Sequence, residues 1–269
     1  MTAAPLTLPG VSRDLAAGLS APDARWLVDY YYAIQDFRIQ ADGQARAVAQ
    51  DADAASVELS EWLGAGMHHA ERRIQQALDI YSSSSTPGVW AKSIIGIGPV
   101  IAAGLLAHID ITKAPSVGHV WSFAGLDPSK KWERGQIRPW NAKLKVLCWK
   151  LGDSFVKVHN NPKDIYGKVY AERKALEVER NESGVFAEQA AEKLRTQKIS
   201  DKDLKKTLEA GRLPAGQLDL RARRYAVKLF LAHLHHVMFE DHYGVPPAMP
   251  YIIQHGGHTD FIGPPNWPL

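Results

Sequence analysis

The sequence predicts a mainly α-helical protein. An N-terminal helical hairpin or coiled-coil arm comes first. A helical domain built around a helix-hairpin-helix follows, and a proline-rich C-terminal strap ends the chain. Three observations carry this. Apolar residues recur at helical spacing through residues 23–81 and again through 221–242. A turn, Gly96-Ile97-Gly98-Pro99, separates two short apolar segments. Residues 246–269 hold Pro246, Pro247, Pro250, Pro264, Pro265 and Pro268. The expected division is an arm at 1–81, a linker at 82–89, a helix-hairpin-helix domain at 90–245 with an insertion at about 178–218, and a strap at 246–269.

Residues 1–22 are rich in Pro, Ala and Leu and read as a loosely held segment. Ala21-Pro22-Asp23 is a helix start, with Pro and Asp in the first turn. Trp26, Tyr30, Ala33, Ile34 and Phe37 then fit an amphipathic helix. Val57, Leu59, Trp62 and Leu63, followed by Ile74, Ala77, Leu78 and Tyr81, read as a second one. Two long helices back to back form an arm that either dimerises or packs on its own domain. Ser82-Ser83-Ser84-Ser85-Thr86-Pro87-Gly88 is the clearest break in the chain.

After the break, Trp90, Ile94 and Ile95 close one short helix. Gly96-Ile97-Gly98 supplies a turn in which glycine permits positive φ and close backbone approach. Pro99 opens the next helix, with φ already set and no N–H to leave unpaired. Val100, Ala103, Leu106 and Ala107 continue it. The free N–H groups of such a turn suit a phosphate, which positions a duplex without reading its sequence. The alternative is an ordinary packing corner between two helices. A further short helix is expected at 116–124, then a turn at Gly125-Leu126-Asp127-Pro128.

Residues 130–150 hold Lys130, Lys131, Arg134, Arg138, Lys143, Lys145 and Lys150 against the single acid Glu133, with Trp132, Trp140 and Trp149 among them. Bases neutralise phosphates, and tryptophans stack on unpaired bases. The alternative is a solvated basic face whose tryptophans point inward. Leu144, Leu147, Cys148 and Leu151 make the core side of this segment. A helix over 160–180 follows, then a polar helical or flexible excursion over 181–218. In the closing helix Val227, Leu231, Leu234 and Met238 form a buried stripe. Arg221, Arg224, Lys228 and His235 share another face. The nucleic-acid contact residues expected from these patterns are Gly96, Ile97, Gly98, Lys130, Lys131, Trp132, Arg134, Arg138, Lys143, Arg221, Arg224 and Lys228.

The bulk numbers narrow the class. With 269 residues and 45% hydrophobic content the chain can bury a sizeable core. Its one cysteine, Cys148, excludes an internal disulfide and a cysteine-rich zinc site. No signal peptide is read at the N-terminus. The longest uncharged run, 93–109, is short for a bilayer span and broken by Gly and Pro. A soluble cytoplasmic protein without a membrane partner is expected. The formal net charge of +3 is uneven: residues 1–91 carry −5 and residues 92–269 carry +8. The basic half starts at the hairpin and points to an anionic partner.

The C-terminal part is rich in histidine. His236 and Glu240 stand four apart on a helix, a usable spacing for two metal ligands, and His255 and His258 follow in a glycine-rich tail. A divalent metal at these four residues is one expectation; helix-end packing of the histidines is the other. Tyr251-Ile252-Ile253 reads as a short strand.

On these residues the chain resembles a known family. The blocks are Gly96-Ile97-Gly98-Pro99-Val100 through Leu105-Leu106-Ala107-His108-Ile109, then Ser122-Phe123-Ala124-Gly125-Leu126-Asp127-Pro128-Ser129, then Arg134-Gly135-Gln136-Ile137. In this order they resemble the C-terminal domain of the RNA-bridged insertion-sequence transposases. The resemblance covers roughly residues 90–240 and implies nucleic-acid binding and kinship to transposases. Two departures stand beside it. The family's RuvC-like domain, with its four acidic metal ligands, has no counterpart in residues 1–91. The family's catalytic Ser-Gly pair, between the Pro-Ser turn and the Arg-Gly block, is missing from Ser129-Lys130-Lys131-Trp132-Glu133-Arg134. Ser129 is the nearest hydroxyl and matches the structural serine of the turn.

Three readings follow. The first is a non-catalytic DNA-binding protein, RNA being an alternative ligand, that forms a homodimer or higher homo-oligomer through its arm. The second is an active transposase, recombinase or nuclease using Ser129, with Arg134, Arg138 or His119 on the phosphate, or using a metal at the histidines. The third is an interaction protein that keeps the fold without DNA.

Overall fold

The computed structural model describes residues 12–51, 54–249 and 261–269, and the side chains of these except 48–51 and 54–56. Every regular element among the described residues is helical, and none is a strand, so the mainly α expectation holds. The helices are α1 (Arg13–Ala17), α2 (Ala21–Asp51), α3 (Ala54–Ser83), α4 (Thr86–Ser93), α5 (Pro99–His108), α6 (Val117–Phe123), α7 (Ala142–Val158), α8 (Tyr166–Glu182), α9 (Ala187–Thr196), α10 (Lys202–Glu209) and α11 (Ala215–Tyr243). A 3-10 turn, Ile111–Lys113, lies between α5 and α6.

The chain forms two compact units. The first holds α1 to α3, α5 and all of α4 but its last residue. The second holds Ser93–Ile97 and everything described from Ile111 to Trp267. The last two residues, Pro268–Leu269, belong to the first, so the chain changes unit at 92/93, 97/98, 110/111 and 267/268, not within the serine run.

In the first unit α2 and α3 lie antiparallel. Val28 meets Leu78 at one level, Gln35 and Arg38 bond Glu71 at the next, and Asp42 reaches His68 beyond them. Past Val28 the seam is thus mixed, with these polar bonds beside Tyr31, Tyr32 and Ile74. Burial pushes the Glu71 carboxyl up, but its bonds from Arg38 and Gln35 outweigh that and leave it below its usual value. The aromatic stripe of α2 faces the other way. Trp26, Tyr30 and Phe37 are exposed, as are Leu59 and Trp62 of α3. The apolar spacing correctly indicates a helix, but its stripe is not the side turned to the partner helix. Helix α5 has no charged residue before His108 and is covered nearly all round. Its Val100 and Ala103 pack on Val28 and Leu78.

The expected linker at 82–89 is replaced by a tight connection. The hydroxyls of Ser82, Ser83 and Ser84 donate to the carbonyls of Leu78, Asp79 and Ile80 at 2.9, 2.7 and 2.8 Å. These bonds satisfy the open end of α3. Helix α4 starts at Thr86, and its Trp90 is fully buried.

The second unit is built on α7, α8 and α11. Leu144, Leu147, Cys148, Leu151 and Phe155 line α7, and the expected stripe Val227, Leu231, Leu234 and Met238 lines α11. Phe155, Tyr166 and Phe230 form an aromatic centre with ring separations of 5.1 to 5.7 Å. Burial pushes the Cys148 thiol up to about 12, so it is a core residue and not a nucleophile. The polar excursion is folded. Helices α9 and α10 enclose a small core of Phe186, Ala190, Leu208, Leu213 and Leu218.

Candidate nucleic-acid interface

The hairpin turn is held by its own backbone and by α7. Gly96 adopts φ +93°, which a side chain tolerates poorly. The Ser154 hydroxyl donates to the Gly96 carbonyl at 2.5 Å, and the Ile97 N–H donates to the Ile94 carbonyl at 3.0 Å. Gly98 has an ordinary φ of −89° and caps α5 without a side-chain bond, and Pro99 takes the first helical position. Ile97 is only 6% exposed, so its side chain fastens the turn to the core. It drops out of the contact set expected from sequence; Gly96 and Gly98 remain half-exposed.

The basic loop is the other part. Residues 128–139 are exposed throughout. Asp127 accepts the Ser129 N–H at 3.0 Å and the Ser129 hydroxyl at 2.7 Å, and these bonds hold its carboxyl below the usual range. Gly135, the Trp132 indole and the Gln136 carbonyl close a tight turn, with Nε1 to O at 2.7 Å. Ile137 stands almost fully exposed beside Arg138.

Each of three tryptophans carries a cation. Arg138 lies 5.0 Å from the Trp132 ring, Lys145 4.1 Å from Trp140 and Lys228 4.0 Å from Trp121. Trp140 is wedged against Gly125, where a Cβ would come within 2.8 Å of the indole and where φ is +68°, so glycine is required twice over. The tryptophans therefore do not offer both faces to bases. They fix where positive charge stands.

Those charges crowd one another. Burial first, then Arg224 and Arg138, push the Lys145 ammonium below its ordinary value. Burial pushes Lys228 down; the Asp127 carboxylate opposes that, and Arg224 adds a smaller push downward. Among the described residues none of Lys130, Lys131, Arg134, Arg138, Lys145, Arg224 and Lys228 forms an ion pair with a carboxylate. Cations gathered with Asp127 as the one carboxylate felt nearby make a site of net positive charge, suited to an anion.

Of the residues named from sequence, the structure brings Arg138, Arg224 and Lys228 together, and puts Lys130, Lys131, Trp132 and Arg134 on the adjoining exposed loop. Lys143 is exposed at the start of α7. Arg221 does not join them. Its Nε donates to Glu177 at 2.8 Å and its guanidinium covers Phe186, because α8 and α9 flank that end of α11. His235, placed by spacing on the same face, is buried and bonds the Ala114 carbonyl at 2.8 Å. Lys145 was missed as a contact residue, although its place in the basic run was visible.

The expected chemistry finds little support. Ser129 spends its hydroxyl on Asp127, whose carboxyl is held low and is a weak base. His119 bonds Ser116 at 2.9 Å. His236 lies 3.3 Å from Glu240, and Glu240 also accepts the Trp267 indole at 2.7 Å. This pair ties the C-terminal residues to α11. Among the described residues no group of three His, Cys, Asp or Glu could hold a metal. His255, His258 and the expected strand at 251–253 lie outside the described residues. Within residues 261–269, the Ile262 carbonyl accepts from His233, and Asn266 donates to Ser93 at 3.1 Å.

Residues 90–137 match the family model described as Transposase IS116/IS110/IS902 family. The matched segment runs from α4 through the hairpin turn to the tip of the basic loop, and it is similar to the corresponding part of insertion-sequence transposases. No curated protein and no solved structure matches the chain. No helix among the described residues is long and apolar enough to cross a membrane.

Proposed function

We propose that this protein is a DNA-binding relative of the insertion-sequence transposases that grips the phosphate backbone and does not cut it. The observation that carries the reading is the cluster Arg138, Lys145, Arg224 and Lys228, in which Lys145 feels both arginines and no member is ion-paired with a carboxylate among the described residues. The family match over the adjoining segment supports a nucleic-acid partner. The group that accepts the Ser129 hydroxyl, Asp127, is held low and is a weak base, which supports a non-catalytic role. The protein acts as a homodimer through the exposed aromatic stripe of its arm.

Fluorescence anisotropy with labelled duplex DNA and with RNA across a salt series tests the reading. Duplex affinity should fall linearly in log–log form with salt, by about 0.9 per phosphate contacted. Lys145→Glu should weaken binding on any sequence. Salt-independent binding, or none, refutes the proposal; tighter binding to RNA replaces DNA as the ligand; a cleaved probe restores the enzyme reading.

A further inference from the structure

We infer that Trp149 is a stacking platform for one unpaired base, so that the protein prefers gapped or forked DNA to continuous duplex. The inference rests on the DNA-binding reading above. It starts from a contrast among tryptophans. Trp121, Trp132 and Trp140 each give a ring face to a cation of the chain, and Trp121 and Trp132 also donate their indole N–H to a carbonyl. Trp149 does neither. Among the described residues its ring meets no other ring or cation and its N–H finds no acceptor, yet its side chain is 57% exposed.

Its position gives it an occupant. Trp149 stands one turn after Lys145 on α7, on the same face, with Val146 beside it, itself 55% exposed. Side chains on a helix lean toward its N-terminus, so the indole covers the surface next to Lys145. A nucleotide whose phosphate sits among Lys145, Arg138 and Arg224 can lay its base on Trp149 only if that base is out of the stack. Paired bases in a duplex keep both faces covered by their neighbours. An apolar protein partner would not call for cations at the edge of the patch; a nucleotide does. Stacking of this kind tolerates any base, since every base has a π-face.

The test uses the whole chain, a labelled duplex, and the same duplex carrying a short single-stranded gap with a fluorescent adenine analogue in it. The parent should bind the gapped probe about tenfold more tightly than the duplex, as one stacked base implies. The analogue's emission should be quenched on binding. Trp149→Ala should bind the gapped probe no better than the parent binds the duplex, and should lose the quenching. Trp149→Phe should keep part of both. Equal parental affinity for the two probes, or an unaltered gapped preference in Trp149→Ala, overturns the platform while leaving duplex binding intact. No binding of the parent to either probe overturns the platform and the DNA-binding reading together. Thermal unfolding followed by circular dichroism checks that the exposed substitution leaves the fold in place.

Discussion

Lys228 and Trp121 hold each other twice: the Lys228 ammonium lies 4.0 Å from the Trp121 ring centre, and the Trp121 indole donates to the Lys228 backbone carbonyl at 3.0 Å. The two residues are 107 apart in sequence, and the double contact fixes a cation of α11 against α6. Lys228→Gln should therefore remove a positioned charge. We expect duplex affinity to fall several-fold and the salt slope to shrink by about one phosphate's worth, with little change in helicity. Trp121→Leu keeps the charge but frees it; its affinity should fall while the salt slope stays close to that of the parent. Anisotropy titrations at several salt concentrations separate the two.

Ser129 and Asp127 carry a second prediction. The hydroxyl donates to a carboxylate that it helps to keep ionised, an arrangement that shapes a turn. Ser129→Ala should leave probes as uncut as the parent leaves them, with or without Mg²⁺, and should loosen the loop so that binding weakens about two- to threefold, the equivalent of one exposed hydrogen bond. Cleavage by the parent that disappears in Ser129→Ala would refute this.

How far these sites were legible depends on what surrounds each helix. Leu144, Leu147, Cys148 and Leu151 were readable because α7 buries one face along its whole length. The stripe Trp26, Tyr30 and Phe37 was equally periodic and is exposed, because the inner face of α2 uses Ala24, Val28 and Ala41 and then the polar Gln35 and Arg38. Periodicity shows that a face exists; its neighbours decide which side is inside. Arg221, Arg224, Lys228 and His235 illustrate the same limit. They share a helical face, but α11 runs past α8 at one end and past the 3-10 turn at the other, so the face has several environments. The pairing of Trp121 with Lys228 had no local signal at all.

The buried carboxylate of Glu177 predicts a stability effect. It is fully buried, pairs with Arg221 at 2.8 Å and also pairs with Arg173. Burial pushes its pKa up, and the two arginines more than reverse that. Glu177→Ala leaves the half-buried Arg173 and Arg221 guanidiniums, and that of Arg180 at 3.8 Å, without this counter-charge. Removing one partner of such a pair costs about 3–5 kcal/mol. The midpoint of urea unfolding should drop accordingly. An unchanged midpoint would mean that the arginines reach water without cost.

His233 predicts a pH dependence of opposite origin. The Tyr166 hydroxyl donates to its Nδ1 at 2.6 Å, and its Nε2 donates to the Ile262 carbonyl at 2.8 Å, so the neutral ring is the one the core accepts. Burial pushes its pKa down to about 4 from 6.5. Burial lowers His235 as well. Between these values the unfolded chain binds protons that the folded chain refuses, so stability rises with pH there. It should be complete above about pH 6.5 and be lost progressively as pH falls toward 4, by roughly 3 kcal/mol for His233 alone. His233→Gln should flatten this dependence; a parent whose unfolding midpoint stays constant from about pH 6.5 down to about pH 4 would contradict it.

The exposed stripe of α2 makes the last prediction. Trp26, Tyr30, Ala33 and Phe37 are spaced four, three and four apart, the repeat by which one helix packs along another. All four are exposed, and Trp26 and Tyr30 touch each other with ring centres 4.4 Å apart. A stripe of this size left in water is unfavourable unless something covers it. A second copy fits, because the same repeat on both sides is self-complementary and closed two-fold pairing follows. Light scattering behind a sizing column should give a dimer mass for the parent. The double variant Trp26→Glu with Phe37→Glu should elute as a monomer with unchanged helical content, since neither side chain belongs to the core. Its duplex affinity should fall more than tenfold if two basic faces grip one DNA, because the second contact is then no longer tethered. A monomeric parent, or a variant that remains dimeric, would place the dimer contact elsewhere or remove it.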